Sequence, residues 1–189
     1  MNKLAIIIGH NHLAEGAIRP DTGEREYTYN SRMATYMMQI ACQYELEIAV
    51  FRRIPQGGYS QEIKRVYQQS DDWGADASVE LHFNSFADPN ASGTETLSSG
   101  SNKSIILANE VQRELVATLG LKDRGVKIRN SQNKGRGYLS LISGKAPAII
   151  TEPFFASAIQ DRQASDEEQE QQAIAAAILA GVKRAFALM

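Results

Sequence analysis

The sequence predicts an α/β domain, a three-layer α/β/α sandwich around a twisted mixed, mostly parallel sheet. Three observations carry that expectation: short continuous apolar runs rich in β-branched residues, amphipathic helical stretches alternating with them, and glycines or prolines at the joints. The 189 residues are 43% hydrophobic and 22% charged, the balance of one domain over residues 1–189 with a sizeable core. A formal net charge of -2 supplies no global basic field, so nucleic acid is not an expected partner.

The elements follow in order. Leu4 to Ile8 reads as a buried strand, and Asn11 to Gly23 as a loop. From about Tyr27 to Tyr44 the residues Met33, Tyr36, Met37, Ile40 and Ala41 recur at three and four, the spacing of an amphipathic helix. Cys42, the single cysteine, lies in this stretch and is expected to be a small buried side chain outside any disulfide. Leu46 to Phe51 is a second strand. After Pro55, Gly57 and Gly58, Ser60 can cap a helix whose face is Ile63, Val66 and Tyr67.

Ala77 to His82 is a third strand, and Gly93 to Ser98 alternates like an edge strand with one face in solvent. Ile105, Ala108, Val111, Leu115 and Leu119 mark a helix stopped by Gly120. Arg124 to Gly137 is glycine-rich and basic without a period, a surface loop with short extended pieces suited to touching a substrate. Tyr138 to Ile142 and Ala146 to Thr151 read as two more strands, and Ser165 with Glu168 forms a capping-box signature before an alanine-rich helix. The first apolar run is too short for a membrane span, and no secretion signal is expected there.

Three apolar runs each end in a residue able to bind or use a metal: His10, His82 and Glu152. In an open α/β sheet such ends meet at one edge. A catalytic zinc site needs three protein ligands and an open position, and imidazole and carboxylate both suit it. Of the three histidines, His10 is preferred to His12 because it adjoins the strand end and Gly9, which allows a tight turn. For the third ligand, periodicity leaves Asp21, Glu24 and Glu26 open. Glu152 precedes Pro153-Phe154-Phe155, and burial there raises a carboxyl toward a usable general base.

Gly9-His10, Glu26 with Asn30 four positions on, Leu81-His82-Phe83-Asn84 and Glu152-Pro153-Phe154-Phe155 together resemble the zinc-dependent N-acetylmuramoyl-L-alanine amidases of the Amidase_3 class. Gly16-Ala17, Ala75-Asp76 and Arg124-Gly125-Val126-Lys127 extend the resemblance over nearly the whole chain. It implies His10, Glu26 and His82 as ligands of Zn2+, Glu152 as the catalytic carboxylate, and a twisted mixed sheet between helices. The implied substrate is the peptidoglycan amide between N-acetylmuramic acid and the L-alanine of the stem peptide. Departures lie in the groove walls: Ile7-Ile8 stand where the family usually has Asp-Pro, Asn11-His12-Leu13 replace a glycine-rich stretch, and Phe154 replaces a glycine.

Stem peptides carry carboxylates, so Arg124, Lys127, Lys134 and Arg136, with Asn84 of the motif, are candidate substrate contacts. Neither a wall-binding repeat nor an integral membrane segment is read in the sequence. The expected setting is synthesis in the cytoplasm and action on the wall after release, as for a phage or prophage endolysin, or a secreted enzyme trimmed of its signal. A zinc peptidase or carboxypeptidase, another amidohydrolase, and a non-catalytic wall-binding module are the alternatives.

Overall fold

The computed structural model describes residues 1–189. Its six strands are β1 (Asn2–Ile8), β2 (Leu46–Arg52), β3 (Ala77–Leu81), β4 (Thr94–Ser98), β5 (Asp123–Ile128) and β6 (Ala148–Glu152), forming one sheet in the order β2-β1-β3-β6-β4-β5. Every neighbouring pair is parallel except β4 with β6, so the sheet is mixed and mostly parallel, as expected. Strand β1 is paired on both sides and covered on both faces, and Leu4 through Ile8 are fully buried. Its sequence is therefore a continuous apolar run rather than an alternating one.

Alternate strand residues serve opposite faces. Leu4, Ile6, Ile8, Val79, Leu81 and Ile149 pack into the larger core with helices α1 (Glu26–Ile40), α3 (Asn102–Leu119) and α6 (Glu168–Leu188). Ile7, Leu97, Ala148 and Ile150 pack on the other face against α2 (Tyr59–Trp73) and α4 (Tyr138–Ser143). A short α5 (Ile159–Gln163) precedes α6.

Several local expectations are corrected. Tyr138 to Ile142 lies in helix α4, not a strand. Both sides of β6 are already taken by β3 and β4, and Tyr138, Leu141 and Ile142 have the three-and-four spacing of a helix. Strand β4 is not an edge with a wet face: it lies between β6 and β5, and all five residues are buried. Its polar residues find partners on α3 instead of water, Thr96 with Gln112 and Ser98 with Ser104, both at 2.8 Å. The basic segment from Arg124 does contain an extended piece, as expected: it begins within the edge strand β5.

The first helix gives way after Ile40 to a 3-10 turn over Ala41–Tyr44, and the changed pitch leaves Cys42 exposed rather than buried. Helix α2 starts at Tyr59 with Gly58 at its cap, so Ser60 is not the capping residue. The capping box of α6 is made by Glu167 and Glu170. Ser165 is unavailable for it because its hydroxyl bonds the carbonyls of Asp161 and Arg162 at the end of α5.

Helices α3 and α6 approach closely at Gly181, where a β-carbon would stand 2.5 Å from Val111 Cα. Alanine improves helix propensity by about 1 kcal/mol, but a backbone contact cannot be relieved by a side-chain rotation, and overpacking costs about 1–3 kcal/mol. Gly181→Ala is expected to lower stability in urea titration by up to about 2 kcal/mol net. A raised midpoint contradicts the close packing.

Candidate active site

Because β1, β3 and β6 run parallel, their carboxyl ends share one edge of the sheet. The register sets Ile8 beside Leu81 and Leu81 beside Thr151, so His10, His82 and Glu152 follow at neighbouring points. All three line a cavity of about 560 Å3, together with Glu26, Arg53 and Arg136.

Glu26 opens α1 and is 3% exposed. A carboxylate at a helix N-terminus is favoured by the dipole, and this one accepts the backbone N–H groups of Ala17 and Phe83, each at 3.1 Å. Its Oε2 lies 3.1 Å from His10 Nε2 and its Oε1 2.8 Å from His82 Nδ1. One donor atom from each of the three residues falls within 4.8 Å of the others. Two imidazole nitrogens and a carboxylate oxygen so grouped fit a divalent transition metal such as zinc.

Without a metal the three groups are strongly coupled. Burial alone would raise the Glu26 carboxyl, but hydrogen bonds from His10 and His82 hold it far below the usual carboxylate range. Burial likewise opposes charge on His82, yet Glu26 and Glu80 outweigh it and push the imidazole up to about 10. Without metal, the Nδ1 proton thus stands between the atoms that would face a cation.

The alternative ligands are engaged elsewhere. Both Glu24 oxygens accept from Arg32, at 2.6 and 2.9 Å, and Asp21 accepts from Arg19 at 3.0 Å. His12 is exposed and does not line the cavity. The tight turn assigned to Gly9 belongs to His10, whose φ of 67° is uncommon for a residue with a side chain. Gly9 is needed for another reason: a β-carbon there would meet His82 Nε2 at 2.5 Å.

Glu152 is 2% exposed. Its Oε1 accepts from Arg136 at 2.8 Å, while its buried Oε2 has no hydrogen-bond partner. Directly across the antiparallel pair stands Glu95. Glu95 is compensated by Arg124 Nε at 2.7 Å and Asn84 Nδ2 at 3.0 Å, which hold it below the usual range against its burial. For Glu152 burial wins and pushes the carboxyl up to about 7, although His82 and Arg136 act to lower it. The Arg136 side chain is 64% exposed, so water screens its charge.

The other expected contacts separate. Arg136 faces the cavity and also bonds Asn84 Oδ1 at 2.6 Å. Asn84 and Arg124 line a smaller adjoining pocket, while Lys127 turns its ammonium to the Arg124 carbonyl and lines neither. Lys134 sits over the Tyr138 ring. Sequence reading missed Arg53, Tyr59 and Glu80. Arg53 is buried on the cavity wall, paired with Glu62 at 3.2 Å and stacked on Tyr59. Glu80 accepts from His82 Nε2 at 3.0 Å. The available signal for Glu80 was an acidic residue inside an otherwise apolar strand.

A raised carboxyl has a defined linkage sign. Between its ordinary 4.5 and about 7, the folded state holds a proton on Glu152 that the unfolded chain has lost. The stability this contributes is complete below the lower value and disappears as pH rises through the upper one. Metal-free wild type is therefore expected to lose stability relative to Glu152→Gln across that window, by an amount on the order of 3 kcal/mol. A difference that stays flat with pH in denaturant titrations contradicts the assignment.

Comparison with known proteins agrees with this geometry. The family described as N-acetylmuramoyl-L-alanine amidase (Amidase_3) matches residues 4–184. An uncharacterized cell wall amidase of Bacillus anthracis is 34% identical over 116 residues, 57% of this chain but only 20% of that protein's length. The catalytic domain of CwlV, an N-acetylmuramoyl-L-alanine amidase from Bacillus (Paenibacillus) polymyxa var. colistinus, shares the fold with a TM-score of 0.83 at 23% identity, covering 100% of both chains. The catalytic domain of the CD27L endolysin targeting Clostridia difficile does so with a TM-score of 0.79 at 23% identity, over 96% of this chain and 97% of that one. With the family matching almost end to end, this chain belongs to the Amidase_3 family of N-acetylmuramoyl-L-alanine amidases.

Proposed function

We propose that the protein hydrolyses the peptidoglycan amide between N-acetylmuramic acid and L-alanine, with zinc held by His10, Glu26 and His82. One observation carries the reading: a buried carboxyl, Glu152, with an unpartnered oxygen lines the same cavity as the three-donor group. Family membership supplies the substrate class.

When bound, zinc supplies Lewis acidity to the scissile carbonyl and to the attacking water. Ionised Glu152 accepts a proton from that water at Oε2 as the water oxygen bonds the carbonyl carbon. The same carboxyl then delivers the proton to the amide nitrogen as the carbon–nitrogen bond breaks, leaving a lactyl carboxylic acid and the alanine amine, which settle as carboxylate and ammonium. In the metal-free protein burial pushes this carboxyl up to about 7, so proton uptake by Glu152 is not strongly opposed. Arg136, bonded to Glu152 but largely exposed, is placed to turn toward a stem-peptide carboxylate.

No helix is long and apolar enough to cross a membrane. Action on the wall then follows release through a membrane lesion, as for an endolysin, or export, and serves wall lysis or remodelling.

The test is purified peptidoglycan digested by wild type and Glu152→Ala, with products identified by mass. Wild type should release stem peptides with a new N-terminal alanine, and the variant should lose about 100-fold or more in rate while keeping one zinc per chain. Full activity in the variant removes Glu152 from the mechanism. A single amino acid freed from the peptide's other end makes the enzyme a carboxypeptidase, and zinc binding without any cleavage makes the chain a binding module.

A further inference from the structure

His82 is held at both ring nitrogens. Nδ1 faces Glu26 Oε1 at 2.8 Å, and Nε2 faces Glu80 Oε1 at 3.0 Å. Glu80 is 1% exposed, and its second oxygen accepts the Tyr67 hydroxyl of α2 at 2.9 Å. Tyr67 is equally buried. His82 follows directly on the end of β3 and its N–H still bonds the Thr151 carbonyl, so the pleat carries one residue further and Glu80, two residues back, lies behind it on the same face.

The position is unusual for a carboxylate. Glu80 pairs in register with Ile7 of β1 and Ile150 of β6, members of the apolar core on that face. A charge there is costly to bury, and a buried ion pair seldom stabilises a fold more than well-packed apolar residues would. Fold stability alone gives little reason for Glu80. Its contact with His82 gives a specific one, because the hydrogen bond made by one imidazole nitrogen decides which nitrogen is free for a metal.

We propose that Glu80 is a positioning residue of the metal centre: it accepts the Nε2 proton of His82, fixes the ring and presents Nδ1, beside Glu26, to the cation. Tyr67 in turn fixes the carboxylate from the far side. Glu80 lines the same cavity, and the role assigned to it is exerted through His82. The inference rests on the metal reading of His10, Glu26 and His82.

The experiment uses metal-stripped wild type, Glu80→Ala and Glu80→Gln, with zinc affinity read by competition against a chromophoric chelator and folding read by circular dichroism. Glu80→Ala should bind zinc 10- to 100-fold more weakly. Glu80→Gln keeps an oxygen acceptor and should recover most of that loss. Nitrogen-15 shifts of zinc-loaded wild type should show His82 protonated at Nε2 and ligated through Nδ1. Wild-type affinity in a folded Glu80→Ala overturns the proposal, and so does ligation through Nε2, a result that does not depend on any variant folding. Wild type that binds no zinc instead removes the metal reading beneath it.

Discussion

The Glu26 carboxylate is the point on which the site depends. It begins α1, yet its hydrogen bonds reach the loop after β1 through Ala17, the end of β3 through Phe83, and both imidazoles. A buried charge with so many partners is far less costly than an isolated one. The same contacts tie the first helix to two strand ends. His10 keeps a left-handed backbone and the His10 and His82 rings meet edge-on at 4.9 Å, so the three donors are held before any ion arrives.

A second feature of the edge is unequal treatment of like charges. Glu95 and Glu152 stand opposite each other on β4 and β6. Arg124 and Asn84 serve Glu95, and the only charged partner of Glu152 is a guanidinium open to solvent. Environment therefore separates two identical side chains, one kept ionised and one poised near neutral pH. The antiparallel placement of β4 brings Glu95 to this edge, where a parallel strand in its place would bring its carboxyl end.

Much of this was legible in the sequence because burial on both faces leaves a plain signature. Leu4 to Ile8 and Ala148 to Thr151 read as buried parallel strands, and the residues just past such strands include His10 and Glu152. Where long-range packing decides, the sequence is silent. Tyr138 to Ile142 carries strand-forming residues but no free sheet partner, and Thr94 to Ser98 looks half-wet because its hydroxyls bond the Pro153 carbonyl and α3 side chains in place of water. Glu24 and Glu26 cannot be told apart by spacing alone, since what separates them is Arg32 eight residues from Glu24 and two histidines distant from Glu26. Arg53 escaped notice for the same reason, since its partner Glu62 lies on a helix, whereas Glu80 left a signal in the strand itself, two residues before His82.

One divalent cation is expected to bind where His10, Glu26 and His82 converge. Diffraction from zinc-loaded crystals at the zinc absorption edge would show it as a single strong anomalous peak about 2.0–2.2 Å from His10 Nε2, His82 Nδ1 and a Glu26 oxygen. A peak elsewhere, or none at full zinc occupancy in solution, contradicts it.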